Sequence, residues 1–461
     1  MNELYLGARL RQQTVDGRWL HRAYFDSAAT SLPAEPVQQA HARFMDYYGS
    51  FHSDGHFSAS MSMEAFEWSK SRILSYLGAD PEIYDVVFIG SGATSAINRL
   101  AAGLALLRGE RDTAIVSLME HHSNDLPHRH HSPQVLHLPV DAASQWRIDP
   151  DRVESLLQAH AGRVNYLAFT AASNVTGLIN PVHEITAIAH RHGVPVLVDG
   201  AQIYAHHPFC LRDARHNGVD FFVFSGHKAH APGSPGVIVG RRAVLERMPP
   251  YFLGGGMVDE VSRHEFQVSA PVGKKEHAGT PNIAGAFAVG MATDFLAKEG
   301  LANLAQQEQD LRRYFLEAAA REPRIRCYGA TATDDCLGIL TFNLQGLPHA
   351  FVGAVLNDYH CMAVRTGCFC AHPYVKALLF DDFMAMDDEA EVEDHKGMVR
   401  ASLAPHNTRA ELDQLLAALV QLLDHAPALR QEYERHGGAF RHRRAPNMQH
   451  SFADFLAGAL I

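Results

Sequence analysis

The chain is 461 residues long, 47% hydrophobic and 20% charged, with a formal net charge of −11. That length buries a large core and accommodates two domains. The negative balance removes any general electrostatic case for nucleic acid or an anionic membrane, and no apolar run approaches the roughly 20 residues of a membrane span. The opening residues, MNELYLGARLRQQ, lack the apolar core of a signal peptide. The cysteines are Cys210, Cys327, Cys336, Cys361, Cys368 and Cys370, too sparse for a disulfide framework, so a reducing cytosol is expected.

From about residue 83 the chain alternates strand and helix. DVVFIG (85–90), TAIVSLM (113–119), QVLHLPV (134–140), NYLAFT (165–170), VPVLVDG (194–200) and VDFFVFSG (219–226) read as short apolar strands. GATSAINRLAAGLALL and HEITAIAHRHG (183–193) read as helices between them, and the rhythm predicts an α/β domain with a mostly parallel sheet. Long helices follow over 281–300 and 301–322. In a second, smaller α/β domain ILTFNL (339–344) and MAVRTG (362–367) read as strands and RAELDQLLAALVQLL (409–423) as an amphipathic helix. The expected division is 22–300 for the large domain and 301–425 for the small one, joined by 1–21, with an extension over 426–461. MDDEAEVEDHKG (386–397) reads as a solvated acidic loop, and the tail ending SFADFLAGALI as either a docking helix or disorder.

Two strand ends carry the most informative chemistry. VLVDGAQ places Asp199 at the carboxyl end of one strand, with Gln202 just beyond. VFSGHKAHAPGSPG delivers Lys228 past the end of the next. Open parallel sheets bind ligands at that edge. A lysine amine, for a Schiff base with an aldehyde, and a carboxylate, for a pyridinium nitrogen, are the two groups pyridoxal 5′-phosphate (PLP) requires. IGSGATSAIN (89–98) is either a plain strand–helix turn or a phosphate site, since small residues and helix N-terminal N–H groups suit an anion. Ser225 and His227 flank the lysine within reach of the same phosphate.

SLMEHHSNDLPHRHHS (117–132) is dense in histidine, but no HExxH or paired CxxC supports zinc, and no metal is expected. His121, just past a strand end, is placed over the cofactor ring as a stacking and proton-shuttling imidazole. His128, His130 and His131 are expected at the surface. In AVRTGCFCAHP (363–373) Cys370 is read as a nucleophile on a loop over the cofactor. Cys368, two residues away, points the same way if that loop is extended. Arg400, in VRASLAPHNT (399–408), offers a planar fork for an α-carboxylate. Arg365 is a second anion contact or a structural ion pair.

With these residues assembled, the chain resembles the cysteine desulfurase/selenocysteine lyase (SUF-type) branch of class V, fold-type I, PLP-dependent enzymes. YFDSAATS, MEHHSN, SNVTG, VDGAQ, FSGHK, AGTPN, VRTG followed by Cys370, and RASLAPHNT occur in family order. The resemblance implies a fold-type I transferase with PLP as cofactor, Lys228 as Schiff-base lysine and Asp199 on the ring nitrogen. It places Gln202 on the phenolic oxygen, Asn174 beside cofactor and substrate, and His121 on the ring face. It gives the phosphate to Thr94, Ser225 and His227, with Thr280 reaching it across a homodimer. Cys370 matches the persulfide-forming cysteine and Arg400 the carboxylate-binding arginine. Three departures surround the sulfur-handling loop: Ser95 replaces the family's acidic residue, Cys368 and Phe369 precede Cys370, and the stretch from Cys370 to Arg400 is enlarged.

The expected reaction is conversion of cysteine (or selenocysteine) to alanine, with sulfur passed to Cys370 and then to an acceptor protein or small thiol. Transamination, C–S β-elimination and epimerisation are the alternatives within the class, and a specialised biosynthetic sulfur donor is a sub-case. A non-catalytic scaffold conflicts with Asp199, Lys228 and Arg400. A Rossmann dehydrogenase lacks its GxGxxG.

Overall fold

Seven strands form the main sheet: β1 (Tyr84–Ile89), β2 (Thr113–Ser117), β3 (Gln134–Leu138), β4 (Val164–Thr170), β5 (Val196–Asp199), β6 (Phe221–Ser225) and β7 (Gly236–Arg241). The structure is a computed structural model and describes residues 2–53, 55–211, 218–384, 395–445 and 448–459. The order across the sheet is β1-β7-β6-β5-β4-β2-β3. From β6 to β3 neighbours are parallel, whereas β7 is antiparallel to both β1 and β6. Two antiparallel pairings in succession leave β1 parallel to β6. The carboxyl ends of β1, β2, β4, β5 and β6 therefore share one edge. β7, GVIVGR, is a strand the sequence reading did not separate from its glycine-rich surroundings.

β1, β2, β4, β5 and β6 are buried along their whole length, which is why they read as continuous apolar runs rather than alternations. Successive side chains serve opposite faces. Leu167, Phe169, Val196, Val198, Phe222 and Phe224 pack in one core with α1 (Phe57–Tyr76). Val116, Tyr166, Ala168, Leu197, Phe221 and Val223 pack in another with α2 (Gly92–Leu107). The first core also takes up α3 (Val182–Arg191) and α4 (Ile283–Glu299), with α1 packed along α4.

A second sheet is antiparallel throughout. β8 (Ile325–Cys327) pairs with β9 (Ile339–Leu344), and β11 (Met398–Ser402) lies between β9 and β10 (Arg365–Gly367). It packs with α5 (Leu301–Ala319) and α6 (His349–His360) in a separate core that includes Phe315, Phe342, Phe351 and Leu419. The expected strand over 362–367 is broken at Val364. Its first part, Met362–Ala363, pairs in parallel with Ala23–Tyr24, so Ala23 and Phe25 are buried in this smaller core. α7 (His372–Leu378) follows Cys370. α8 (Arg409–Arg430) starts on a capping box between Thr408 and Glu411 and runs past Pro427, beyond its expected end.

The tail holds a hairpin, Tyr433–His436 with Ala439–His442, and α9 (Met448–Ala459). Of the acidic run, residues 386–394 lie outside the described residues. No helix among the described residues is long and apolar enough to cross a membrane.

Candidate active site

A cavity of about 650 Å³ opens at the shared strand edge. Thr94, His121, Asn174, Asp199, Gln202 and Ser225 line it, as do His227, Lys228, Arg365, Cys370 and Arg400. Thr280 is exposed and is not among the lining residues.

One end is built for an anion. β1 ends at Ile89, and Gly90 and Gly92 adopt left-handed backbone (φ 43° and 63°) to turn the chain into α2. A Cβ on Gly92 would stand 2.9 Å from Ser225 Oγ and 3.7 Å from His227 Nε2, so only a glycine keeps this hollow open. The Ala93 N–H donates to Ser225 Oγ at 2.6 Å, and Thr94 Oγ1 lies 2.7 Å from Ser123 Oγ. Gly236 at the start of β7 is tighter still. A Cβ there would come within 2.0 Å of the Gly92 carbonyl oxygen. Helix N-terminal N–H groups, two hydroxyls and a histidine around an empty glycine cradle fit a phosphate.

At the other end Asp199 terminates β5, buried, with its Oδ1 accepting the Ala201 N–H at 2.9 Å. Burial raises its pKa, against the Ala201 N–H and the charge of Lys228. Burial lowers Lys228 to about 8, with Asp199 opposing, so its amine gives up a proton far more readily than an ordinary lysine while staying mostly protonated at pH 7. Gln202 donates to the Ala28 carbonyl at 2.9 Å, which leaves its second amide hydrogen available.

His121 caps a short 3₁₀ turn over His122–Asn124. Its Nδ1 accepts the Ser123 N–H at 3.1 Å. A backbone N–H only donates, so the ring proton sits on Nε2. Burial and Lys228 hold the ring at about 3, which makes it a neutral imidazole. Behind it Glu120 is buried and accepts from Ser117, from Asn124 Nδ2 at 2.6 Å and from the Thr170 N–H at 2.9 Å. Burial pushes Glu120 up to about 8. His128, expected at the surface, is fully buried in the same network: its two ring nitrogens meet Tyr166 at 2.9 Å and Asn124 at 3.0 Å.

Cys370 sits on a turn in which two successive non-glycine residues are left-handed, Phe369 (φ 51°) and Cys370 (φ 55°). Such residues cost roughly 1–2 kcal/mol each, and the surroundings hold them. Asn174 Nδ2 donates to the Phe369 carbonyl at 2.8 Å, and the His122 N–H donates to the Cys370 carbonyl at 2.7 Å. The Arg400 guanidinium lies over the Phe369 ring at 4.9 Å. The turn is not extended, and this corrects the expectation for Cys368. Its thiol bonds to the Lys396 carbonyl at 3.0 Å and does not line the cavity.

Arg400 is buried, donates to the Asn174 carbonyl at 2.8 Å, pairs with Asp26 at 3.3 Å, and keeps an Nε–H without a protein partner. Burial lowers it to about 10, with Asp26 opposing. A buried guanidinium with an unused donor, beside a cavity, suits a carboxylate.

Sequence reasoning missed Ser123, which ties Thr94 to His121, and Asp26, which braces Arg400. Both lie inside quoted motifs, MEHHSN and YFDSAATS, where a hydroxyl or carboxylate next to a functional residue was the available signal. Among the described residues no group of three His, Cys, Asp or Glu is arranged to hold a metal, and all six cysteines are free thiols.

This arrangement, a strand-end Asp, a buried lysine and an anion cradle on a mostly parallel sheet, defines a family. The Aminotransferase class-V model matches residues 23–415, and the chain belongs to that family. It is 36% identical over 409 residues to a cysteine desulfurase of Klebsiella pneumoniae (strain 342), covering 87% of this chain and 93% of the relative. The structure of the Escherichia coli cysteine desulfurase CsdA (S-sulfonic acid) is similar at a TM-score of 0.73 and 30% identity, over 87% of this chain and 95% of that one. The apo cysteine desulfurase of Thermococcus onnurineus NA1 is similar at 0.77 and 26% identity, with the same coverage.

Proposed function

We propose that this chain is a PLP-dependent cysteine desulfurase, which converts L-cysteine to L-alanine and takes the sulfur onto Cys370 as a persulfide. The observation that carries the reading is the meeting of Lys228, Asp199, Arg400 and Cys370 around one cavity. The similarity to cysteine desulfurases over most of the chain supports it.

PLP, when bound, supplies the electron sink that labilises the substrate's Cα proton and Cβ–S bond. Lys228 is assigned to the cofactor aldehyde, Asp199 to the ring nitrogen, Gln202 to the phenolic oxygen and His121 to the ring face. Thr94, Ser225 and His227 are assigned to the phosphate, with the partner subunit's Thr280 reaching it in a homodimer. Arg400 takes the substrate carboxylate through its spare Nε–H. Arg365 is a second contact for that anion, and Asn174 lies beside both substrate and turn.

Lys228, with its pKa lowered by burial to about 8, moves the Cα proton. His121 remains neutral and donates from Nε2. The Cys370 thiolate forms an S–S bond to the substrate sulfur. The Cβ–S bond breaks, its electron pair stays with Cβ, Cβ takes up a proton, and alanine leaves. The persulfide then passes to an acceptor protein or small thiol in the cytosol. Residues 22–300 and 301–425 are taken as the two domains.

The test is product analysis with L-cysteine and a reductant. Equal amounts of alanine and sulfide support the reading. Pyruvate and ammonia would replace it with C–S β-elimination.

A further inference from the structure

The turn that carries Cys370 has one attachment that the proposed reaction does not use. His122 Nε2 lies 2.9 Å from His372 Nδ1. The two rings are inclined by only 7°, with centroids 4.8 Å apart. That nitrogen separation is a hydrogen bond between two nearly parallel rings, with one ring donating and the other accepting. His122 follows His121 on the 3₁₀ turn, and its backbone N–H already holds the Cys370 carbonyl at 2.7 Å. His372 stands at the first position of α7, two residues beyond the thiol. The pair therefore grips the turn on the far side of Cys370, where Asn174 grips it on the near side through Phe369.

This second grip has a geometric reason. Phe369 and Cys370 are both left-handed, a conformation that non-glycine residues leave readily unless it is held. The Ala371 N–H closes the turn on the Cys368 carbonyl at 2.8 Å, but α7 begins at His372 with no side-chain cap from Ala371. Ala371, Tyr374 and Val375 anchor the start of α7 in the core, and the imidazole bond adds a tie at His372, next to the turn that carries the thiol. Burial and the neighbouring His372 lower the pKa of His122, against Asp125.

We infer that His372, through its bond to His122, is a positioning residue that keeps the Cys370 thiol directed into the cavity. The inference rests on the reading of Cys370 as the sulfur-accepting thiol.

The test compares the cofactor-loaded wild type with His372→Ala and His372→Gln. Glutamine both donates and accepts, and so preserves the bond without an imidazole. Loss of one such hydrogen bond predicts a fall in kcat for cysteine of roughly tenfold in His372→Ala, with KM within about twofold. The iodoacetamide alkylation rate of Cys370, read by peptide mass spectrometry without substrate, is expected to rise several-fold as the turn loosens. His372→Gln is expected to restore both to within about twofold of wild type. Wild-type kcat and alkylation in His372→Ala would overturn the inference, as would a His372→Gln no better than His372→Ala. If wild type itself fails to turn over cysteine, the proposed reaction fails, and the alkylation rates still decide whether His372 holds the thiol.

Discussion

Asn174 donates its amide hydrogen to the Phe369 carbonyl at 2.8 Å, while its own backbone carbonyl accepts from Arg400 at the same distance. One residue thus braces the cysteine-bearing turn with its side chain and the guanidinium with its main chain. Asn174→Ala removes only the first contact. It leaves a buried carbonyl unsatisfied, at a cost of about 1–3 kcal/mol. Sulfide release at saturating cysteine should fall tenfold or more, while visible absorbance shows the cofactor retained. A variant with wild-type turnover would show that the turn holds its shape without Asn174.

Cys370→Ala should keep the cofactor and lose sulfide production, because in the proposed reaction Lys228 activates Cα whereas carbon–sulfur cleavage needs a thiolate acceptor. Cys368→Ala should stay within about twofold of wild type, since that thiol bonds to the Lys396 carbonyl outside the cavity. Sulfide assays on the two variants check both statements. Wild-type conversion of cysteine to alanine and sulfide by Cys370→Ala would remove the persulfide step.

Gly236→Ala should damage the cofactor site from outside it. The added methyl would meet the Gly92 carbonyl at 2.0 Å, so the cradle at the start of α2 must shift. Cofactor affinity, measured by titrating PLP into the apoprotein, should weaken at least tenfold. Unchanged affinity would show that this turn does not hold the phosphate.

Glu120 predicts a pH effect on stability. In the folded protein its carboxyl keeps its proton up to about 8, against 4.5 in the unfolded chain. Folding therefore takes up a proton between those values. The raised pKa contributes stability that is fully present below 4.5 and is lost as pH rises towards 8, by up to about 1.4 kcal/mol per pH unit. Glu120→Gln has no such proton. The unfolding free energy of wild type minus that of Glu120→Gln, from urea titrations, should decline from pH 5 to pH 8. A flat difference would place the Glu120 pKa near its ordinary value.

The parallel strands were legible because burial on both faces turns them into apolar runs, and Asp199 and Lys228 because they stand at the ends of two such runs. β7 was not legible: its glycines resemble loop, whereas Gly236 is there to pass the Gly92 carbonyl and Gly240 to pass the Phe221 ring. His128 looked like a surface residue among histidines, and only the three-dimensional placement of Tyr166 and Asn124 satisfies its ring in the interior. The direction of Cys368 depends on two left-handed residues that nothing in CFC announces. The His122–His372 bond joins residues 250 apart in the chain, beyond the reach of any local pattern.

The two cores give the reacting groups different frames of reference. Phe369, Ala371, Tyr374 and Val375, around Cys370, are buried with the main sheet that carries Lys228. Arg400 rides on β11, whose Val399 and Ala401 belong to the smaller core. Thiol and amine are thus set from one core, while Arg400, the proposed carboxylate grip, is carried by the other and tied to the first through the Asn174 carbonyl. Mutational wear in the smaller core should first blur which amino acid is held and how tightly, and only later how fast its sulfur is removed. Substrate preference is the property most free to drift while the chemistry stays in place.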